Sequence, residues 1–347
     1  MRWSTSSKLP TAAPVQFNFM PSWWHRHYGI SFGERMFSDP EYRARMAREM
    51  HRLAHERFGE VGLGESNPEM VYFSDDLSNA TLPAAFGCPV VCAEDNYPVN
   101  SPLPEEELRK ISLPEDITKV YPFREIIRQA ESVNTRHNAD LHPSWNVMGV
   151  QNIAVQIAGS NFFVQYYTDP ELAKRLLDDA REMMVRSLNY FLSVGSRLEF
   201  LCNANCTVPL AGPKIYRDHL FAQEERLYTA VTRQGIGYAI HHCGHFDDYA
   251  DLYRKIKHVV FIEIGWGSDL RLALDLFPEA KVQYIVSFQF IQDGPPKKIK
   301  EFMQSIIESA GPDVGRLSFH IADLEYGIPD EHVRAVVEGL LKKGGTS

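Results

Sequence analysis

A single (β/α)8 barrel is the fold class this sequence predicts, and two observations predict it: the number of short apolar runs and their alternation with helical segments. Eight runs rich in Val, Ile, Phe and Tyr are predicted as strands, near Val15–Phe19, Met70–Phe73, Val147–Gln151, Leu198–Leu201, Gly237–His241, Val259–Glu263, Lys281–Val286 and Leu317–Ile321. Eight is the number a closed barrel requires. An additional strand is expected near Pro89–Cys92. Segments of helical period follow the later runs, at Pro213–Gln234, Phe246–Lys257, Asp269–Leu276 and Pro296–Ala310, so the second half alternates strand and helix. An open doubly wound sheet is the second choice, and no glycine-rich phosphate fingerprint follows any run to support it.

Two helix starts are marked in the sequence itself. Ser38-Asp39-Pro40-Glu41 and Thr168-Asp169-Pro170-Glu171 each offer an Asp cap, a Pro at the first helical position and an acid in the first turn. The prolines from Pro98 to Pro122 punctuate an acidic stretch, read as part of an insertion around 92–144 within one domain spanning 1–347. The residues before Val15 form an N-terminal extension.

Of the 347 residues, 44% are hydrophobic, 23% charged and 12% aromatic, enough apolar surface for a large core. The formal net charge of −9 disfavours a nucleic acid or an anionic membrane as the main partner. Five cysteines are too few and too scattered for a disulfide scaffold, which points to a reducing, cytoplasmic setting. No apolar run approaches the roughly 18 residues of a membrane span.

Chemistry in a barrel collects where strands end. Here those ends carry Cys202, Asn203, Asn205 and Cys206, then His241, His242 and Cys243, then Glu263, then Ser287 and Gln289, then His320 and Asp323. In extended backbone residues i and i+2 share a face, so His241 and Cys243 can converge on one ion while His242 points elsewhere. Imidazole with thiolate suits zinc. Glu263 and His320 are the groups positioned to complete the set; the bland alternative is a buried polar cluster satisfied by hydrogen bonds. Cys202 is read as packing, Cys206 as packing or pocket lining, and Cys88 and Cys92 as core. The aromatic segment around Phe19, Trp23 and Trp24 lines a substrate pocket or closes the barrel as a hydrophobic plug or subunit interface. Asp75, beside Asp76, is either a carboxylate for substrate binding or acid–base work, or a helix cap.

Three stretches carry a family resemblance. Tyr72-Phe73-Ser74-Asp75-Asp76-Leu77 with Phe86-Gly87-Cys88-Pro89-Val90, then Tyr167-Thr168-Asp169-Pro170-Glu171-Leu172, then Gly327-Ile328-Pro329-Asp330-Glu331-His332-Val333 resemble motifs of the uroporphyrinogen decarboxylase-like superfamily. The resemblance implies the same barrel. The decarboxylases of that superfamily carry an arginine-rich segment after the first strand, where this chain has Phe19-Met20-Pro21-Ser22-Trp23-Trp24. A pocket without guanidinium groups suits a polycarboxylate poorly. The other branch comprises zinc-dependent methyltransferases working with a corrinoid protein; its His-x-Cys resembles His241-His242-Cys243, and its later Cys is replaced here, most simply by His320.

The resemblance thus implies a methyltransferase that moves a methyl group between a small substrate and the cobalt of a corrinoid on a partner protein. An aromatic or other methyl ether is the favoured substrate. The expected zinc ligands are His241, Cys243, His320 and Glu263; Asp75 and Glu263 are the expected catalytic carboxylates. Phe19, Trp23, Trp24, Asn203 and Gln289 are expected to contact substrate. The alternatives are a metal-free decarboxylase-like lyase and a non-catalytic binding module.

Overall fold

Six strands pair in parallel to form a curved half-barrel. The structure is a computed structural model that describes residues 4–6, 8–74 and 76–341. In chain order the strands are β1 (Ser4–Ser6), β2 (Val15–Phe19), β3 (Val90–Ala93), β4 (Asn96–Asn100), β5 (Phe200–Ala204), β6 (Gly237–His242), β7 (Val259–Ile264), β8 (Lys281–Val286) and β9 (Leu317–Leu324). The main sheet runs β1-β2-β9-β8-β7-β6-β5, with β1 an antiparallel edge on β2 and every other pairing parallel. β3 and β4 make a separate antiparallel hairpin, so the run near Pro89–Cys92 belongs to the insertion and not to the barrel wall.

A closed eight-stranded wall is not present among the described residues, and the two predicted strands that fail have local reasons. Met70–Phe73 follows Pro68 and is partly open to water, with Val71 58% exposed. The second predicted run stops short because Met148 adopts φ 55, which ends an extended strand, and Val150 already begins the helix Val150–Ala158. Side chains join these segments where a ladder would have done so. Ser74 Oγ donates to Ser144 O and accepts from Ser144 N, both at 3.0 Å, and Asp76 accepts from Asn146 N. Ala204 N then donates to Met148 O at 3.1 Å, tying the gap to β5. Gly149 is required at this seam, since a Cβ there would lie 1.9 Å from Ala204 O.

Strand alternation sorts side chains between the helix layer and the barrel interior. On β2, Val15, Phe17 and Phe19 are buried toward the helices, while Gln16 and Asn18 take the other face. Phe19 stacks on Phe58 of the helix Pro40–Phe58 with ring centroids 5.8 Å apart, and it meets Trp23 and Trp24 of the helix Pro21–Tyr28. Both marked helix starts form: Asp39 accepts from Glu41 N and Tyr42 N at 3.0 Å, and Asp169 accepts from Leu172 N at 3.1 Å. Across β5 to β9, Ala204, His241, Glu263, Gln283 and Ser318 are successive register partners, which sets them in one row on the interior face. No helix of the described residues is long and apolar enough to cross a membrane.

Candidate metal centre

Cys206, His241 and Cys243 each offer a ligand atom within 4.8 Å of the other two. β6 delivers the pair: His241 points inward, His242 turns to the opposite face, and Cys243 follows just past the strand, with His241 Nε2 2.7 Å from its sulfur. His242 is fully buried, its Nδ1 2.9 Å from Tyr253 OH, and burial lowers its pKa to about 4. It is therefore neutral and structural.

Cys206 comes from the loop after β5, and its two neighbours pin it. On one side Asn205 N donates to His241 O at 2.6 Å, and Asn205 Nδ2 donates to Glu224 Oε2 at 3.1 Å and to Tyr253 OH at 2.9 Å. On the other, Thr207 donates through N and Oγ1 to Asn152 Oδ1 at 3.0 and 2.8 Å. Glu224 is buried and also accepts from Tyr216 OH at 2.5 Å and Tyr238 OH at 3.1 Å, so a satisfied polar network lies under the loop.

Glu263 stands behind His241. One carboxylate oxygen accepts from His241 Nδ1 and the other from His320 Nδ1 at 2.5 Å. Burial alone would raise the Glu263 pKa, but the two imidazoles overcome it and hold the carboxyl at about 2. His241 is in turn held well above the usual histidine range against the opposing effect of burial, by Glu263 and Cys206. The Cys243 thiol lies toward Cys206 and lowers the Cys206 pKa against burial, while the same contact and burial raise that of Cys243.

The residues expected from sequence are divided by this geometry. His241 and Cys243 come together as ligand atoms. Glu263 and His320 are buried and adjoin them, but both Glu263 oxygens are occupied by imidazoles, and His320 Nε2 is a buried atom without a partner among the described residues. Cys206, read from sequence as packing or pocket lining, is the third member; its signal was its place at the end of β5, next to the strand that carries His-x-Cys. Phe19, Trp23 and Trp24 are 1% exposed or less and belong to the core, because β2 alternation turns Phe19 toward the helices. Their burial against one another and Phe58 gives that segment a core position in place of a pocket wall. Asn203 is 1% exposed and committed to structure: its Oδ1 accepts from Val150 N at 3.2 Å, and its Nδ2 donates to Asn205 Oδ1 at 3.1 Å. Gln289 is exposed on the short helix Phe288–Asp293 and accepts from Ser287 Oγ at 2.9 Å. Asp75 lies outside the described residues.

Two cysteines and a histidine, with the histidine's other nitrogen on a carboxylate, make a donor set that fits zinc and leaves a fourth position for a substrate atom or water. A parallel α/β half-barrel with such a cluster at its strand ends defines the class: a barrel-type protein with a candidate metal centre at its mouth. The uroporphyrinogen decarboxylase family model matches residues 33–342, and the chain belongs to that family. Among solved structures, a methyltransferase from Methanosarcina mazei is similar in fold, with a TM-score of 0.63 at 16% identity, over 96% of this chain and 93% of that one. No curated protein matches the sequence.

Proposed function

We propose that the protein is a zinc-dependent methyltransferase, the whole chain acting as one unit, that exchanges a methyl group between a small methyl ether and the cobalt of a corrinoid carried by a partner protein. The observation that carries this reading is the convergence of Cys206, His241 and Cys243 with Glu263 on the far nitrogen of His241. The shared fold of the Methanosarcina mazei methyltransferase supports the reaction class. The corrinoid rests on the sequence resemblance, and no residue of this chain is assigned to it.

Cys206, Cys243 and His241 Nε2 would hold the zinc, which when bound supplies a Lewis acid for the ether oxygen or holds a thiol as thiolate. The chain's own residues do the rest. Glu263 fixes the His241 tautomer, so that Nδ1 carries the hydrogen and Nε2 faces the thiols. His320 fixes Glu263 by occupying its second oxygen. The Asn205 and Thr207 anchors keep Cys206 at the mouth without side-chain searching.

A metal-free decarboxylation of a carboxylated substrate is the second reading, favoured by the description of the matched family itself. Elemental analysis of the purified wild type, Cys206→Ser, Cys243→Ser and His320→Ala separates the two, combined with methyl transfer from 2-methoxyphenol to Co(I) corrinoid. About one zinc per chain, lost in both cysteine variants, is the expected result. Wild type that neither retains nor takes up zinc, and moves no methyl group, overturns the methyltransferase reading.

A further inference from the structure

Asp323 lies near the end of β9 in an unusual setting. Phe17 of β2 pairs with Ile321 and Phe19 pairs with Leu324, so β9 spends three steps where β2 spends two. The extra residue is a β-bulge, and within it Asp323 takes φ 58, a left-handed conformation rare for residues other than glycine. Regular extension would send Asp323 after Ile321 into the apolar helix layer. The bulge gives that face to Leu324, which is fully buried, and leaves Asp323 exposed.

Asp323 is open to water on one side, yet the protein around it is dense enough to raise its carboxyl above the ordinary aspartate value. It lies on β9 three residues past His320, whose Nδ1 contacts Glu263, and the charges of His320, Cys206 and His241 act on its carboxyl. It is not one of the three clustered ligand residues. The neighbouring Glu325 is occupied by Ser22 Oγ. A bulge that costs backbone strain and redirects one carboxylate to the edge of a reactive cluster is the kind of device found beside functional sites.

We propose that Asp323 is a specificity-determining residue: its carboxylate accepts a hydrogen bond from a hydroxyl or protonated nitrogen of the substrate, beside the methyl group that is moved. The assignment rests on the methyltransferase reading for the identity of the moved group. Recognition of a donor by Asp323 is a property of binding and is measured separately from turnover.

The test is calorimetric binding of three probes to zinc-loaded wild type, Asp323→Asn and Asp323→Gly, with zinc content measured on each. The probes are 2-methoxyphenol, which has a hydroxyl beside its methyl ether, 1,2-dimethoxybenzene, which lacks it, and trimethylammonium, which carries an N–H. Glycine is chosen because φ 58 suits it, so that variant keeps the backbone. Wild type should prefer one donor-bearing probe over 1,2-dimethoxybenzene by about tenfold or more, the scale of one hydrogen bond to a charged group. That preference should collapse in Asp323→Gly while zinc content and 1,2-dimethoxybenzene binding stay constant. Which donor-bearing probe is preferred identifies hydroxyl or nitrogen. Equal or absent binding of all three probes to wild type, a preference that survives in Asp323→Gly, or loss of zinc in both variants overturns the proposal. A preference that Asp323 controls, without methyl transfer to corrinoid, overturns the reaction assignment and leaves the recognition role standing.

Discussion

Glu263 accepts the Nδ1 hydrogen of His241 and so turns His241 Nε2 toward Cys243, 2.7 Å from its sulfur. The carboxylate acts on the centre through the imidazole, which gives it a positioning role. Glu263→Gln keeps the shape and removes the charge that holds the His241 tautomer. Zinc affinity should fall about 10- to 100-fold, measured by competition with a chromogenic chelator, with the circular dichroism spectrum preserved. Unchanged affinity would show that Glu263 does not orient the ligand.

Gly265, just past β7, is packed against the backbone that carries Cys243. A Cβ there would lie 2.1 Å from Cys243 O and 2.4 Å from Gly244 O, so Gly265→Ala must push that turn away. Zinc content should drop in Gly265→Ala while helical content stays. A variant with wild-type zinc affinity would show that the centre tolerates movement of the Cys243 backbone.

Trp24 tests the fate of the aromatic segment. It is fully buried, and its Nε1 donates to Phe19 O at 3.2 Å. Trp24→Ala should cost about 3–5 kcal/mol in urea unfolding, the usual range for deleting a large buried aromatic. Loss of less than about 1 kcal/mol would place it at a surface or a pocket wall instead.

Asp39 gives a pH-dependent prediction. Burial would raise its carboxyl, but the hydrogen bond from Tyr42 N, then Arg35, then Glu41 N hold it below 3.8. A depressed folded pKa contributes stability above the unfolded value, and that contribution disappears as pH falls through the folded pKa. Asp39→Ala should therefore be less stable than wild type by about 1 kcal/mol at neutral pH. The difference should shrink at acid pH below 3.8, as followed by urea titrations at both pH values. A gap that stays constant with pH would assign the loss to something other than the charged cap.

Much of the sheet was legible because its strands are local. β2 and β8 have the predicted bounds, and β6, β7 and β9 start where predicted and run one to three residues longer. The predicted strands at Met70–Phe73 and Val147–Gln151 contain the same apolar residue types, yet Met148 turns left-handed and Gly149 presses against Ala204. Those are effects of where neighbouring backbone lies, and no periodicity carries them. The candidate ligand pair was legible for a similar reason: His241 and Cys243 lie two apart at the end of one strand, where alternation gives them one face. Cys206 was not, because its convergence depends on a loop held by Asn205 on Glu224 and Tyr253 and by Thr207 on Asn152.

By itself the sequence determined the strand-and-helix alternation, the two Asp-capped helices and the His-x-Cys pair, all products of forces acting within a few residues: capping, side-chain alternation and proline geometry. The tertiary structure decided three other things. It left the wall as a half-barrel, sent Phe19, Trp23 and Trp24 into the core, and set Cys206 beside the pair with Glu263 and His320 behind it. Those outcomes depend on contacts between residues 19 to 303 positions apart, such as Glu263 on His320 and Ser22 on Glu325. Only the folded chain brings such groups within hydrogen-bonding distance.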